Sequence, residues 1–416
     1  MKWSIYMGYK IAILQGTNQG FFPRFYKSLK SVVEADGCSE VKLFAPNSGK
    51  NKRCILPNLE FWGFRINWHI HSALFRITGK QDCWSHLDTF DLIRKLKKFN
   101  PDILHFHVIN QCQINFPMLI RYVNKNHIPV VWTFHDCRAF TGGCPYFDEI
   151  KCEKWKNGCL NCPDKGGFYV KNFANTEWQW KFRKKWFTNI SNLHIVTPSQ
   201  WLADFVKQSF LNTKCVQVIY NGVDIESFAS NANYDVKTNF NIPRCKKIVL
   251  GCAIDWSPRK GLAYFKEIAL KLSSDYQVVL VGGISQSLKE QLNKLGVICT
   301  GRTKTFNEMK AWYQAASVFV NPTLADNFPT VNIEALASGT PVVTFNTGGS
   351  PEAIDENTGL VVEQGNVDAL KNAIVEICEK GKNTYSFFCM NRANMFSCDR
   401  YKDYVELYQK VVVNET

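Results

Sequence analysis

No stretch of this chain holds 18 apolar residues in a row, so nothing in it reads as a membrane-spanning helix. The first residues, Met1 to Leu14, lack a long apolar core and a small-residue cleavage site, so no secretory leader is expected. Short-period repeats and low-complexity tracts are absent too, which argues against solenoids and arrays. Acid is scarce in one half only. Residues 1–200 carry 28 Lys+Arg against 14 Asp+Glu, whereas residues 201–416 carry 22 of each. The net charge of +14 therefore lies in the first half, and a basic face there favours an acidic partner: a phospholipid surface, polyphosphate or nucleic acid. The densest patch, Trp178 to Trp186, interleaves aromatics with bases. That mixture suits a membrane interface, and equally a solvated helix whose Trp and Phe pack inward.

What is present is an alternation of short apolar strands with helical segments. A chain of 416 residues is long for one core, so two domains are expected. Lys10–Leu14, Val41–Ala45, Pro101–His107, Pro129–Thr133 and Leu193–Val196 read as strands of a first parallel sheet. Residues 47–80 read as a loop and an aromatic-rich stretch. The alternation restarts with a helix at Trp201–Phe210 and a strand at Val216–Ile219, and continues with Lys247–Ala253, Gln277–Val281, Val297–Thr300, Val318–Val320 and Pro341–Phe345. The joint is expected near 197–200. The ranges are 1–197 for a first domain with a Cys-rich insert at 137–167, 198–397 for a second, and 398–416 for a terminal amphipathic helix. The fold class is α/β, with two doubly wound Rossmann-like domains.

The most informative run is Asn321 to Val343. An apolar strand ends in a polar loop, Pro329 stands at the first turn of a helix, the helix closes at Gly339, and a new strand starts at Pro341. Asp326 thus sits at the strand's carboxyl end and Glu334 about a turn and a half into the helix. Open α/β sheets bind ligands in that crevice, a helix N-terminus there suits phosphate, and a carboxylate can accept from sugar hydroxyls. An acid at such a place can also do no more than complement the helix dipole. The spacing Asp-x7-Glu, with Asn327, Phe328, Pro329 and Thr330 inside it, resembles the nucleotide-sugar loop of retaining glycosyltransferases of family four. Their usual pattern is Glu-x7-Glu, and the Asp at the first position resembles polysaccharide-assembly members.

Other segments carry the same resemblance in chain order. Ser257-Pro258-Arg259-Lys260-Gly261 follows the strand Ile248–Cys252 and resembles the family's phosphate clamp. Arg offers a planar fork to a diphosphate and Lys a point charge, though two bases on a turn are usually only solvated. The Arg that the family often carries a few residues upstream is missing. Gly282-Gly283 and Gly301-Arg302 end two strands and let backbone approach a base or phosphate, or merely turn. Asn221-Gly222-Val223-Asp224 resembles the interdomain signature. Thr133-Phe134-His135-Asp136 matches a family segment whose His contacts the donor sugar, and Leu104-His105-Phe106-His107 resembles a second segment lining the same cleft. Alternation puts His105 and His107 on one face; as a metal pair they lack a third ligand. The Gln15–Gly20 loop departs from the family's Gly-Gly-Arg pattern and leaves Gly16, Gly20 and Arg24 as contacts for donor phosphate or acceptor.

The resemblance implies the GT-B fold, with the two domains facing a cleft and the terminal helix packing back on the first. It implies transfer from a nucleoside-diphosphate sugar with retained configuration and no cofactor or metal for the chemistry. Lys260 and Arg259 would stabilise the leaving diphosphate, Glu334 would hold the ribose, Asp326 the hexose hydroxyls, and His135 the sugar from the opposing domain. The acceptor would be a glycan or lipid-diphosphate-linked glycan, and the place the cytoplasm, at the inner face of the plasma membrane. Three other readings stand beside it: a sugar-nucleotide epimerase on the same fold, a non-catalytic sugar-nucleotide-binding relic, and a zinc-knuckle nucleic-acid binder, which leaves the second domain unexplained.

Sixteen cysteines are many for a chain with no leader. Four of them, Cys144, Cys152, Cys159 and Cys162, read C-x7-C-x6-C-x2-C, and the closing pair has metal-knuckle spacing. A structural zinc is one expectation for the set, with a disulfide pair or free thiols as the others. The surrounding text, His135-Asp136-Cys137 to Cys162-Pro163, resembles an insert of a bacterial subgroup of the family.

Overall fold

Thirteen strands fall into two separate parallel sheets. The structure, a computed structural model, describes residues 8–18, 20–48, 51–109, 112–167 and 170–413. The first seven residues, on which the leader reading partly rests, and Gln19 of the first loop lie outside that set. By internal contacts the chain divides into a first unit, Met1–Tyr220 with Asp399–Thr416, and a second unit, Asn221–Cys398.

The first unit holds β1 (Lys10–Leu14), β2 (Glu40–Pro46), β3 (Leu59–Trp62), β4 (Ile103–Phe106), β5 (Val130–Thr133), β6 (Leu193–Thr197) and β7 (Cys215–Val218) in the order β3-β2-β1-β4-β5-β6-β7. The second unit holds β8 (Lys247–Asp255), β9 (Tyr276–Gly283), β10 (Ile298–Gly301), β11 (Val318–Asn321), β12 (Val342–Phe345) and β13 (Gly359–Val362) in the order β10-β9-β8-β11-β12-β13. Every strand pairing is parallel. Helices on both faces bury the central strands completely, which is why β4, β5, β11 and β12 read as unbroken runs rather than alternating ones. In each sheet the strand order grows outward, then reverses beside the first strand. The reversals lie between β1 and β4 and between β8 and β11, and such points open a crevice at the carboxyl ends.

Two expectations shift. The joint foreseen at 197–200 is not where contacts divide, because β7 pairs with β6 (Ile195 opposite Val216) and keeps residues 200–220 in the first sheet. Pro198 is followed by a capped helix, Gln200–Gln208, in which the Ser199 hydroxyl accepts from Leu202 N–H at 3.2 Å. The aromatic-rich stretch 47–80 contains β3 and a helix, Asn67–Thr78.

The terminal helix, Lys402–Val413, does return to the first unit. Its Tyr404 stands one turn before Tyr408, and both point into the core of that sheet. Phe25, from the helix Phe22–Val33, packs edge-on against Tyr401 and Tyr404, with ring centroids 5.1 and 5.9 Å apart. In the helix Thr176–Phe187, Trp180, Phe182 and Phe187 are buried while Lys181, Lys184 and Lys185 face water. The inward-packing reading of that basic aromatic patch therefore describes it. Among the described residues, no helix is long and apolar enough to cross a membrane.

Candidate active site

At the reversal of the second sheet three charged side chains meet. Asp326 follows β11, and Arg259 and Lys260 follow β8, the strand beside it. Lys260 Nζ donates to Asp326 Oδ2 at 2.6 Å, and Arg259 Nη1 lies 3.6 Å from the same oxygen. The two loops are stitched by backbone as well: Leu324 N–H donates to the Arg259 carbonyl at 2.8 Å, and the Arg259 guanidinium donates to the Ala325 carbonyl. Glycine makes this close approach feasible. Gly261 has φ of +75°, and a Cβ there would stand 2.0 Å from the Pro322 carbonyl oxygen; one at Gly348 would stand 1.7 Å from that of Asp326. Burial pushes the Asp326 carboxyl up, but Lys260 and Arg259 outweigh it and hold it below the usual carboxylate range.

Glu334 lies on the helix Thr330–Ala337, buried, and accepts from the Tyr313 hydroxyl at 2.9 Å. Burial above all, with Cys252 and Glu334 nearby, drives the Tyr313 phenol well above its ordinary value, so it stays a donor. Asn327 and Phe328 are buried, Pro329 occupies the cap position, and Thr330 opens that helix. Gly282 and Gly283 close β9, and Gly301 closes β10. Arg302 binds both oxygens of Asp255 at 2.7 Å, with Gly283 alongside. Sequence reasoning missed Asp255 and Tyr313. Their positions, at the end of β8 and facing Glu334 from the preceding helix, gave no signal by spacing.

The corresponding reversal in the first sheet has no such charge cluster. Gly16 follows β1, and its N–H donates to the Val108 carbonyl at 2.8 Å, where a Cβ would stand 2.3 Å from the oxygen. Gln15 closes the same corner, accepting from Val108 N–H at 3.0 Å. Histidines line it. His105, on β4, and His107, just past its end, lie side by side with ring centroids 4.2 Å apart, and His107 Nδ1 is 2.9 Å from His135 Nε2. His105 is sealed in, 2.7 Å from the Tyr408 hydroxyl and 2.8 Å from that of Thr133. Burial dominates all three rings: it lowers His105 to about 3, His107 well below its usual range and His135 to about 4. All three are neutral at pH 7. Asp136 beside them accepts from Arg138, backbone and guanidinium alike, at 2.8 Å.

The cysteine set does not fit a zinc ion as placed. Among the described residues no three His, Cys, Asp or Glu side chains are gathered to hold a metal, and this covers the histidine group too. None of the cysteines is in a disulfide. The Cys144 thiol donates to the Tyr146 carbonyl at 2.5 Å, Cys159 accepts from Gly142 N–H, and burial raises both thiols, Cys159 to about 12. The insert is held instead by aromatic packing, Phe147 on Trp155 and both on Phe205, and by buried Arg183, which donates to the Arg138 and Thr141 carbonyls and pairs with Asp82 at 3.3 Å.

Comparison with known proteins now has a site to attach to. Residues 34–227 match the family described as Glycosyltransferase Family 4, and residues 246–380 the family described as Glycosyl transferases group 1. The chain is built of two glycosyltransferase domains. It is 24% identical over 357 residues to an Escherichia coli (strain K12) protein named as colanic acid biosynthesis glycosyl transferase WcaC, covering 82% of this chain and 83% of that one. It is 28% identical over 232 residues to an Escherichia coli UDP-Gal:alpha-D-GlcNAc-diphosphoundecaprenol alpha-1,3-galactosyltransferase, covering 50% of this chain and 58% of that relative. The solved structure of Anabaena Alr3699/HepE in complex with UDP-glucose matches with a TM-score of 0.63 at 15% identity, over 98% of this chain and 99% of that one. That likeness shows the fold. In these glycosyltransferase domains the Lys260–Asp326 cluster lies inside the second matched segment, and the three histidines inside the first.

Proposed function

We propose that the protein is a retaining hexosyltransferase. It moves a sugar from a nucleoside-diphosphate sugar to a glycan or lipid-linked glycan acceptor in surface polysaccharide synthesis. The observation that carries this reading is the meeting of Arg259, Lys260 and Asp326 at the strand-order reversal of the second sheet. Two cations held against one carboxylate there suit a departing diphosphate beside a sugar hydroxyl. When the bond from the anomeric carbon to the diphosphate breaks, Lys260 and Arg259 take up the charge that develops on the leaving oxygen, the work a metal does elsewhere. Asp326 accepts from hydroxyls of the hexose and Glu334 from those of the ribose. Neutral His135 bonds the donor sugar without adding charge. Gly282, Gly283, Gly301 and Arg302 line the nucleotide's path.

The second unit is thus the donor unit and the first the acceptor unit. UDP-glucose bound to Alr3699/HepE supports a uridine nucleotide donor, and the relatives named for colanic acid synthesis and for a diphosphoundecaprenol-linked acceptor support a lipid-linked glycan at the inner face of the plasma membrane. A screen of nucleotide sugars by thermal shift, followed by product analysis, tests it. The reading stands on at least one nucleotide sugar raising the melting temperature and yielding an α-linked product from an α-linked donor. A product of inverted configuration, or no response to any donor, sinks it.

A further inference from the structure

A cavity of about 290 Å³ opens in the first unit, away from the histidines but tied to them. The helix Asn67–Thr78 forms one wall with Trp68 and Phe75; Gln81 and Gln179 supply amides, and Arg138 and Lys171 supply positive charge. No acid lines it. Gln179 is 2% exposed, its Oε1 accepts from Gln81 N–H at 3.1 Å, and its Nε2 donates to nothing. A buried amide N–H without a partner is costly, and a turn of the Gln179 side chain, which lines the cavity, would bring it to an acceptor oxygen there. Arg138, in the cavity wall, donates from its guanidinium to Asp136 at 2.8 Å, next to His135. The cavity and the histidine corner are therefore linked by one short segment.

The same helix is unusual on its outer side. Ile66, Ile70, Ala73 and Ile77 follow one another at helical spacing, and all are exposed, Ile66 by 68% and Ile77 by 81%. The charged residues beside that stripe are Arg65, Arg76 and Lys80, with no acid from 61 to 81. An apolar stripe flanked only by cations fits an anionic amphiphile, and at 12 residues the helix is too short to span a bilayer.

We propose that this cavity binds the sugar phosphate head of a lipid-linked acceptor, with the lipid lying along Ile66, Ile70 and Ile77. Trp68 and Phe75 give faces for a sugar ring, Gln81 and Gln179 bond its hydroxyls, and Arg138 and Lys171 take the phosphate. This rests on the acceptor role given above to the first unit, and it names the substrate class.

The test uses the full chain with UDP saturating, so that nucleotide sites are occupied. Four probes are titrated: N-acetylglucosamine, inorganic phosphate, N-acetylglucosamine 1-phosphate, and the same sugar on citronellyl diphosphate. The sugar phosphate should bind at least tenfold tighter than sugar or phosphate alone, and both Gln179→Leu and Lys171→Glu should weaken it at least tenfold. The citronellyl probe should bind tighter still, and Ile70→Asp with Ile77→Asp, both at exposed positions, should remove that gain and leave the soluble probe unaffected. Equal binding to wild type and to the two cavity variants overturns the site, as does no binding of either sugar phosphate. Equal affinity for the lipid and soluble probes overturns the lipid track. UDP binding in the same assay separates the two levels: if UDP binds and the sugar phosphates do not, only this inference falls, whereas absence of UDP binding strikes the donor reading.

Discussion

The two sheets reverse strand order in the same way and furnish the two corners oppositely. After β8 and β11 stand two cations, each within 3.6 Å of one carboxylate. After β4 and β5 stand three imidazoles, all held neutral by burial. A shared topology therefore fixes where a ligand is received but leaves the chemistry to loop residues. Fixed charge suits a phosphate group whose charge grows during reaction. Neutral rings, each a donor and an acceptor at once, suit hydroxyls.

The sharpest way to break the comparison is Lys260→Ala. It should lower transfer by roughly a thousandfold with melting unchanged, since a preorganised charge on a leaving group is worth about that much. Initial rates on the donor found by the screen check it, and full activity in Lys260→Ala or in Glu334→Ala removes the assignment of the second corner. A smaller loss, on the order of a hundredfold, is expected for His135→Ala, with nucleotide affinity unaltered. Weakened UDP binding in that variant would show that the histidine corner acts on the nucleotide.

Acid should separate the corners in stability. His135 takes a proton only near pH 4 when folded but near 6.5 when unfolded, so between those values the unfolded chain binds more protons and is favoured as pH falls. The expected loss between pH 7 and pH 5 is about 2 kcal/mol per buried histidine, read from urea melts. His105→Asn, with no ring to protonate, should show a shallower slope. Tyr408→Phe removes one hydrogen bond to His105 and should cost about 1 kcal/mol at neutral pH. The smallest effect belongs to the cysteines: a chelator should shift neither rate nor melting temperature, and a fall in melting with released zinc would show the thiols gathered on metal.

The second corner was largely legible in the sequence. A strand, a polar loop with Asp326, Pro329 and a helix bearing Glu334 announce themselves by local pattern, and Arg259-Lys260 follow a plain apolar strand. The first corner was legible only in part. His105, His107 and His135 stood out by strand position, but Tyr404 and Tyr408 lie some three hundred residues away, and no local rule joins them. The helix Asn67–Thr78 hid because apolar residues occupy its outer face as well as its inner one, which erases the amphipathic period. The domain joint misled because the strand read at Val216–Ile219 follows Pro198 and passes for the start of a second domain, whereas its pairing with β6 leaves no mark in the local pattern. The cysteine spacing suggested a metal knuckle, yet among the described residues no three ligating side chains are gathered to hold a metal, and spacing alone does not say where thiols point.

His105 and Tyr408 are 303 positions apart in the chain. Synthesis delivers β4 early and the helix Lys402–Val413 last, while everything the second unit needs lies between them. On the ribosome, then, the later unit completes first. The earlier one waits with a buried imidazole unmet and Phe25 uncovered until the final helix emerges. A message cut short between Cys398 and the helix Lys402–Val413 would release a chain whose second unit is whole and whose first unit still shows its core, which is the state that chaperones and proteases sort.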